Sequence, residues 1–220
     1  MPDDLEEVPR RRSLRFTLRH SLIPVGKIVF ANRLLLGLFV VAIAGLFVRP
    51  VFPGSPEEVI VTGISVILVI AGVILRAWAA GYAGNHTRTS NIEASKLATS
   101  GPYAFVRNPI YLGSIVLGIG MVGIIGDWRL SPLCVATFTA LYFVIIPAEE
   151  EFLRREYPLE YKVYCGNVRR LLPRFMPWTG AERTSFAWQP ALGEWQTVVI
   201  LASILAFLYG VAFLRGAGHF

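Results

Sequence analysis

The sequence predicts an all-α, polytopic membrane protein with about five transmembrane helices. Hydrophobic residues make up 54% of the 220 residues and charged residues only 16%, which lies outside the range of ordinary soluble domains. Uninterrupted apolar runs such as Leu34–Val48 and Ser65–Leu75 argue against a soluble helical protein, whose helices would carry one polar face. The chain is therefore expected to bury most of its helical surface in lipid.

Five apolar stretches supply the predicted helices. They are Ile28–Val48, Val59–Ala80, Ile110–Ile125, Leu130–Pro147 and Thr197–Leu214. Crossing the hydrocarbon takes about 20 helical residues, so the first two are ample and the fourth and fifth are adequate. The third is short and rich in glycine, which predicts close packing on a neighbouring helix. Asp127-Trp128-Arg129 should turn it back into a tight helical hairpin with the fourth.

The distribution of Lys and Arg predicts the orientation. With five spans, seventeen basic residues fall in segments 1–33, 81–109 and 148–195, whereas only three fall on the opposite side. The positive-inside rule then gives a cytoplasmic N-terminus and a C-terminus on the other side of the membrane. This topology, together with anionic head groups, explains the net charge of +6 without nucleic acid as a partner.

The chain is predicted to form one membrane domain over residues 28–220, preceded by a tail. Residues 1–27 are a basic N-terminal tail that includes a candidate interfacial helix. Residues 149–170 are predicted to form a polar helix interrupted at Pro158, and residues 173–195 a loop at the membrane interface. This C-terminal segment, predicted to be cytoplasmic and catalytic, is followed by the last span.

The first polar motif is the segment Gly101–Gly113, which leads directly into the third apolar stretch. Pro109 suits the first turn of a helix and disfavours helical geometry at the residue before it. Tyr103, Arg107 and Asn108 are thereby held beside a helix N-terminus, whose free amides favour anionic groups. Tyr103 taken alone could equally be an interfacial anchor.

The second polar motif is the run of three carboxylates from Glu149 to Glu151, expected where the fourth helix leaves the membrane. Three adjacent negative charges near a helix C-terminus are unfavourable unless a cation offsets them. Arg154 and Arg155, one turn on, could form a solvated ion-pair face with them. We favour a second interpretation, in which one or two carboxylates bind a cationic ligand on the same side as the first motif.

In order and spacing these motifs resemble the isoprenylcysteine carboxyl methyltransferase and phospholipid methyltransferase superfamily of integral membrane enzymes. The resemblance covers residues 70–175. The matching residues are Gly101-Pro102-Tyr103, Arg107-Asn108-Pro109-Ile110-Tyr111-Leu112-Gly113, Glu149-Glu150, Leu153, Tyr157, Tyr161, Tyr164, Val168, Arg170 and Pro173. The chain departs from the family pattern at Asn108, where His is commoner, at Pro158, where Gly is usual, and at Arg169, where Pro is usual.

The resemblance implies an S-adenosylmethionine-dependent methyltransferase, with the cofactor between the helical hairpin and the C-terminal segment. The implied cofactor-binding residues are Tyr103, Asn108, Pro109, Tyr111, Gly113, Glu149 and Glu150. One of the two glutamates would accept hydrogen bonds from the cofactor ammonium. Arg107 or Arg170 could hold an acceptor carboxylate, and Tyr161 or a glutamate could accept a proton from an amine or thiol. No metal is expected.

The sequence leaves the acceptor and the oligomeric state open. A lipophilic or amphipathic acceptor from the bilayer could present a carboxyl group, a phospholipid amine or a small thiol. An NADPH-dependent membrane reductase of the sterol-reductase-like fold is an alternative, although such enzymes usually have more spans. A non-enzymatic membrane adaptor is a third, but it leaves the coincidence of the two polar motifs unexplained.

Overall fold

A computed structural model describes residues 54–83, 97–127, 129–180 and 184–217, and all of its regular structure is helical. The first predicted span, Ile28–Val48, and the predicted tail, 1–27, lie outside these residues. The described helices are α1 (Pro56–Ala83), a 3₁₀ turn (Gly101–Ala104), α2 (Pro109–Ile125), α3 (Leu130–Ala140), a π-helical turn (Leu141–Ile145), α4 (Ile146–Glu156), α5 (Pro158–Asn167), α6 (Trp188–Leu192) and α7 (Trp195–Ala217).

Three helical runs of the described chain are long and apolar enough to cross a membrane. They cover Pro56–Ala83, Ser131–Glu156 and Trp188–Arg215, and the shorter apolar helix Pro109–Ile125 accompanies them. These helices correspond to the second, fourth, fifth and third predicted stretches, so those four predictions are confirmed. The protein is a polytopic, all-helical integral membrane protein.

The fourth stretch continues further than predicted. α3, the π-helical turn and α4 follow one another without a break, so the helix does not end at Pro147. Pro147 lies in the first turn of α4, directly after the π-helical turn, where a missing backbone N–H is tolerated. Glu149–Glu151 therefore lie inside a continuous helical run, and the predicted position at a helix C-terminus is wrong. The predicted break at Pro158 is confirmed.

α2 packs against α1 through glycine, as its composition predicts. A Cβ atom at Gly72 would lie 2.7 Å from the Gly113 carbonyl oxygen, and one at Gly120 would lie 2.6 Å from the Ser65 carbonyl oxygen. The two backbones can approach this closely only because those side chains are missing. At its end, α2 turns into α3 through Gly126, whose φ of 72° is a left-handed conformation that glycine adopts readily.

Two separate clusters of buried side chains hold the helices together. The first is aliphatic: Leu117, Met121 and Ile125 of α2 pack with Leu208 of α7, surrounded by side chains of α1 and α3. The second is aromatic and is centred on Tyr161 and Tyr164 of α5. The aliphatic cluster assembles the membrane helices, whereas the aromatic cluster fixes the segment that follows them.

The C-terminal connection is shorter than predicted. Within the predicted loop, 173–195, the short helix α6 already begins at Trp188, and α7 begins at Trp195. Pro190 lies in the first turn of α6, where proline is compatible with a helix, so its presence did not indicate a loop. The Ala187 amide donates to the Gly81 carbonyl oxygen at 2.9 Å, which ties the start of α6 to the end of α1.

Candidate active site

The first polar motif lies beside the segment that follows α5. The Arg107 amide donates to the Arg169 carbonyl oxygen at 2.9 Å. The Arg174 amide donates to the Phe105 carbonyl oxygen at 2.9 Å, and the Trp178 amide donates to the Ala104 carbonyl oxygen at 3.0 Å. These backbone hydrogen bonds fix residues 104–107 against residues 169–178, although about 65 positions separate them in the chain.

Glu150 is the most deeply buried acidic side chain of this region, with 2% of its surface exposed. The Arg170 guanidinium donates to it through two bonds, from Nε to Oε1 at 3.0 Å and from Nη2 to Oε2 at 2.5 Å. Such a bidentate pair combines charge with fixed planar geometry and is among the stronger polar contacts in proteins. The carboxylate of α4 is therefore held directly against the segment after α5.

Arg107 is a second cation beside the same carboxylate. Its Nη1 lies 3.4 Å from Glu150 Oε1 and donates to Cys165 Sγ at 2.7 Å. Its Nε is buried and has no hydrogen-bond partner within the described part of the chain. A buried donor without a partner is unfavourable, so this guanidinium is suited to receive an acceptor group from a ligand.

Asn108 completes what we call the Glu150 cluster, which consists of Glu150, Arg170, Arg107 and Asn108. Its Nδ2 donates to the Arg170 carbonyl oxygen at 3.2 Å and reaches Glu150 Oε1 at 3.5 Å. An amide at this position donates to two acceptors without adding charge. The departure from the commoner histidine thus leaves the cluster connected.

Glu149 forms a separate contact with α2. The Tyr111 hydroxyl donates to Glu149 Oε1 at 2.6 Å. Burial raises the pKa of the Tyr103 hydroxyl above its ordinary value, and the negative charge of Glu149 raises it further. Tyr103 is therefore protonated at neutral pH.

Glu151 differs from its two neighbours. Arg154 Nη1 lies 2.6 Å from Glu151 Oε2, and Arg155 Nε lies 3.2 Å from Glu151 Oε1. The surface ion-pair arrangement considered for all three carboxylates therefore describes Glu151. This difference makes Glu151 a suitable control position for the other two.

Tyr161 is buried, with 1% of its surface exposed, and packs against Tyr164. Burial raises the pKa of its hydroxyl, and the negative charge of Glu150 and the Cys165 thiol raise it further. A tyrosine with a raised pKa remains protonated at neutral pH and is a poor proton acceptor. Its predicted role in catalysis stays a prediction.

A cavity of about 740 Å³ opens beside the Glu150 cluster. Its lining includes four arginines and no Asp or Glu: Arg107, Arg169, Arg170 and Arg174. Of the predicted site residues, Arg107 and Arg170 line this cavity. The cavity is therefore strongly cationic and suits a ligand that carries an anionic group.

Two of the predicted cofactor-binding residues have evident packing roles. Pro109 is buried at the start of α2. A Cβ atom at Gly113 would lie 2.8 Å from Arg76 Cγ and 2.9 Å from the Gly72 carbonyl oxygen. Both positions support the α1–α2 contact that places the first motif, and their contact with a cofactor stays a prediction.

A second buried ion pair, absent from the predicted site residues, joins three membrane helices. Arg76 Nε of α1 donates to Glu194 Oε2 at 3.0 Å, and its Nη1 donates to Ser114 Oγ of α2 at 2.5 Å. Thr197 Oγ1 of α7 donates to the same Glu194 oxygen at 2.8 Å. We call these four residues the Glu194 cluster. An arginine within the apolar stretch Val59–Ala80 was the signal that could have revealed it.

The sequence of this chain is similar to those of several known proteins. The phospholipid methyltransferase family matches residues 60–160. A probable protein-S-isoprenylcysteine O-methyltransferase of Oryza sativa subsp. indica is 31% identical over 130 residues, which are 56% of this chain and 66% of the rice protein. Protein-S-isoprenylcysteine O-methyltransferase A of Arabidopsis thaliana is 29% identical over 127 residues, 56% of this chain and 64% of that protein.

The chain is also similar to the nickel-cobalt-cadmium resistance protein NccN of Alcaligenes xylosoxydans xylosoxydans, with 26% identity over 106 residues, 48% of this chain and 46% of that protein. The matches thus span less than two thirds of the two plant proteins and about half of the bacterial one. No solved structure matches the chain significantly. The family match contains both polar motifs, Gly101–Gly113 and Glu149–Glu151, and the plant relatives carry the methyltransferase name. Over the part that carries these motifs, the chain is therefore similar to the phospholipid methyltransferase family and to isoprenylcysteine O-methyltransferases.

Proposed function

We propose that the protein is an S-adenosylmethionine-dependent methyltransferase that methylates the carboxylate of a lipophilic or amphipathic acceptor from the bilayer. The observation that carries this proposal is the Glu150 cluster, which holds two guanidinium groups at the wall of a cationic cavity. Similarity to the phospholipid methyltransferase family supports methyl transfer as the reaction, and the charge of the cavity supports an anionic acceptor.

The residues present fit the cofactor. A volume of about 740 Å³ lies within the range of about 300–1,000 Å³ that is typical of small-molecule sites. The free amides in the first turn of α2 can receive the cofactor carboxylate, while Glu149, beside Tyr111, offers carboxylate oxygens to its ammonium group. When bound, S-adenosylmethionine supplies a methyl group already activated by its positively charged sulfur.

In this proposal the two glutamates act differently. Arg170 donates to both oxygens of Glu150, so Glu150 holds the cationic groups in place and does not itself bind the cofactor ammonium. Glu149 takes the ammonium-binding role that the sequence left between the two residues. This division follows from helical geometry, since consecutive residues on α4 project about 100° apart.

The proposed acceptor is a carboxylate because the site provides cations and a neutral tyrosine. A carboxylate is already deprotonated at neutral pH, so its methylation needs no general base. An amine or thiol acceptor must lose a proton, and burial keeps the pKa of Tyr161 too high for that role. Arg107 and Arg170 would orient the carboxylate, and alignment of this kind can lower a reaction barrier by about 7–11 kcal/mol.

The excess of Lys and Arg supports a site on the cytoplasmic face, with the C-terminus on the opposite side. Thr184 is a useful reporter because its amide donates to Ser100 Oγ, next to the first motif. A Thr184→Cys variant with its native cysteines replaced by serine should react with an impermeant maleimide only after cells are permeabilised. Ready labelling in intact cells would place the site on the other face.

Calorimetry on the detergent-solubilised chain tests the proposed cofactor. We expect saturable binding of S-adenosylhomocysteine and none of NADPH. Glu149→Gln should weaken this binding about 10- to 150-fold, as expected for the loss of a charge-assisted contact worth about 1.5–3 kcal/mol. Glu151→Gln is the matched control and should leave the affinity unchanged, because Glu151 pairs with Arg154 and Arg155.

Two results would reject this assignment. Binding of NADPH without binding of S-adenosylhomocysteine would favour the membrane reductase. Binding of neither compound would favour the non-enzymatic adaptor.

A further inference from the structure

The mouth of the cavity carries two arginines that the Glu150 cluster does not use. Arg169 is exposed, and Arg174 donates from Nη1 to the Asn167 carbonyl oxygen at 2.6 Å. Within the described ranges, no carboxylate lies within ion-pair distance of either guanidinium. Their positive charges are thus available to an anion from outside the described chain.

The same mouth is bordered by an exposed apolar segment. We call Leu171–Met176 the rim segment. Phe175 is fully exposed, and Leu172 and Met176 keep 68% and 77% of their surface accessible. Three such side chains within five residues of a loop are unfavourable in water, so they indicate a surface that is covered by an apolar partner.

The fold places this segment at the level of the lipid head groups. Its Arg174 amide donates to the Phe105 carbonyl oxygen at 2.9 Å, and Phe105 lies shortly before α2, an apolar helix that begins at Pro109. Arg170, directly before the segment, is joined to Glu150, which lies three residues beyond Pro147, where the apolar part of the fourth stretch ends. These contacts with α2 and α4 thus fix the depth of the rim segment relative to the membrane.

We propose that Arg169 and Arg174 bind the phosphate of an anionic phospholipid of the surrounding bilayer. Leu172, Phe175 and Met176 then lie among the upper parts of the acyl chains. Basic residues next to a membrane helix attract anionic lipids by about 1 kcal/mol each, and exposed aromatic side chains favour the interface. Two cations beside exposed apolar side chains are complementary to the phosphate and the acyl chains of a charged lipid, and less so to the surface of a soluble protein. The proposal does not depend on the identity of the methyl donor or acceptor.

Native mass spectrometry of the full chain, extracted from nanodiscs with equal amounts of phosphatidylglycerol and phosphatidylcholine, tests the proposal. We expect the wild type to retain phosphatidylglycerol preferentially. Arg169→Gln should lower that preference about fivefold, as expected for one basic residue at a membrane surface. Arg169 is exposed, so this variant should fold normally. The variant F175S/M176S should also lower retention, because the acyl-chain contacts are lost.

The matched control is R154Q/R155Q, which removes two arginines that pair with Glu151 and do not line the cavity. It should retain phosphatidylglycerol like the wild type. Equal loss in this control, or equal retention of the two lipids by the wild type, would overturn the proposal. Displacement of the lipid by millimolar inorganic phosphate, with no effect of F175S/M176S, would also overturn it in favour of a free-phosphate site.

Discussion

The Glu150 and Glu194 clusters place similar chemistry in two different settings. In each, a buried glutamate receives an arginine that is distant in sequence, and in each the pair joins segments that pack at the membrane. Within the described parts of the chain, Glu194 accepts from Arg76 and from the hydroxyl of Thr197, whereas Glu150 pairs with Arg170 and Arg107. Only the Glu150 cluster contributes its arginines to the lining of the described cavity.

This difference separates a structural ion pair from a candidate active site. Among the described residues, the Glu194 carboxylate accepts from Arg76 and Thr197, and Arg76 also donates to Ser114 of the neighbouring helix. In the Glu150 cluster, the Nε of Arg107 is a buried donor that has no partner within the described ranges. A buried donor without a partner is unfavourable for folding alone, which favours an anionic ligand at this site.

The largest expected effect comes from removing either buried carboxylate. Glu150→Gln and Glu194→Gln should each destabilise the protein by up to about 3–5 kcal/mol, because a guanidinium is left without its counter-charge. Unfolding in detergent measures this loss for both. Only Glu150→Gln should also lower the methyl-transfer rate per folded molecule, because it releases the arginines that orient the acceptor. Equal effects of the two variants on that rate would erase the distinction between the two clusters.

A smaller effect is expected when an arginine is replaced by lysine. Arg170→Lys keeps the charge but loses the planar fork that donates twice to Glu150. We expect the methyl-transfer rate to fall about 10- to 100-fold, in keeping with about 1.5–3 kcal/mol for such a contact. Arg76→Lys is the control in the other cluster and should lower stability without changing the rate per folded molecule.

Substitution of two tyrosines allows a single hydrogen bond at the candidate active site to be compared with one in the helix core. Tyr111→Phe removes a donor to Glu149, and Tyr209→Phe removes a donor to the Ile124 carbonyl oxygen in the helix core, at 3.1 Å. We expect Tyr111→Phe to weaken cofactor binding several-fold. Tyr209→Phe should cost only about 0.5–1.5 kcal/mol of stability, with ligand affinity retained. Calorimetry and thermal unfolding distinguish the two outcomes.

The smallest effect concerns pH. Burial raises the pKa of Tyr103, Tyr161 and Tyr164 above the ordinary value of 10.0, so the folded state keeps these protons while the unfolded state releases them. Stability is therefore complete below about pH 10 and is lost as the pH rises further. Tyr161→Phe should make the unfolding midpoint less sensitive to pH between about 10 and 11. An unchanged slope would mean that Tyr161 ionises equally in both states.

The sequence predicted the membrane helices well because apolar length is a local property. The three candidate spans, the shorter apolar helix α2, its hairpin with α3 and the break at Pro158 all follow from nearby residues. The continuation through Pro147 could not be predicted, since it depends on a π-helical turn that leaves no mark in residue type. The short helix α6 was missed for a related reason, because Pro190 reads as a loop residue but lies in a first helical turn.

The site was predicted as a set of residues but not as a set of contacts. Arg107, Asn108 and Glu150 were named from the two motifs and Arg170 from the family resemblance, and the structure brings these four together. Which glutamate pairs with which partner could not be predicted, because Glu149 and Glu150 differ only in the direction in which α4 projects them. The Glu194 cluster joins residues up to 118 positions apart, and no motif connects them.

The most direct test of the account is methyl transfer from labelled S-adenosylmethionine to a prenylated cysteine analogue with a free carboxylate, using the chain reconstituted in lipid. We predict a base-labile methyl ester as the product. Arg107→Lys should cut the rate about 100-fold, in keeping with the loss of a bidentate contact, while S-adenosylhomocysteine affinity stays within about threefold. Label found only in an amine or thioether product, or an unchanged rate in Arg107→Lys, would contradict the assignment of the Glu150 cluster as a carboxylate-orienting site.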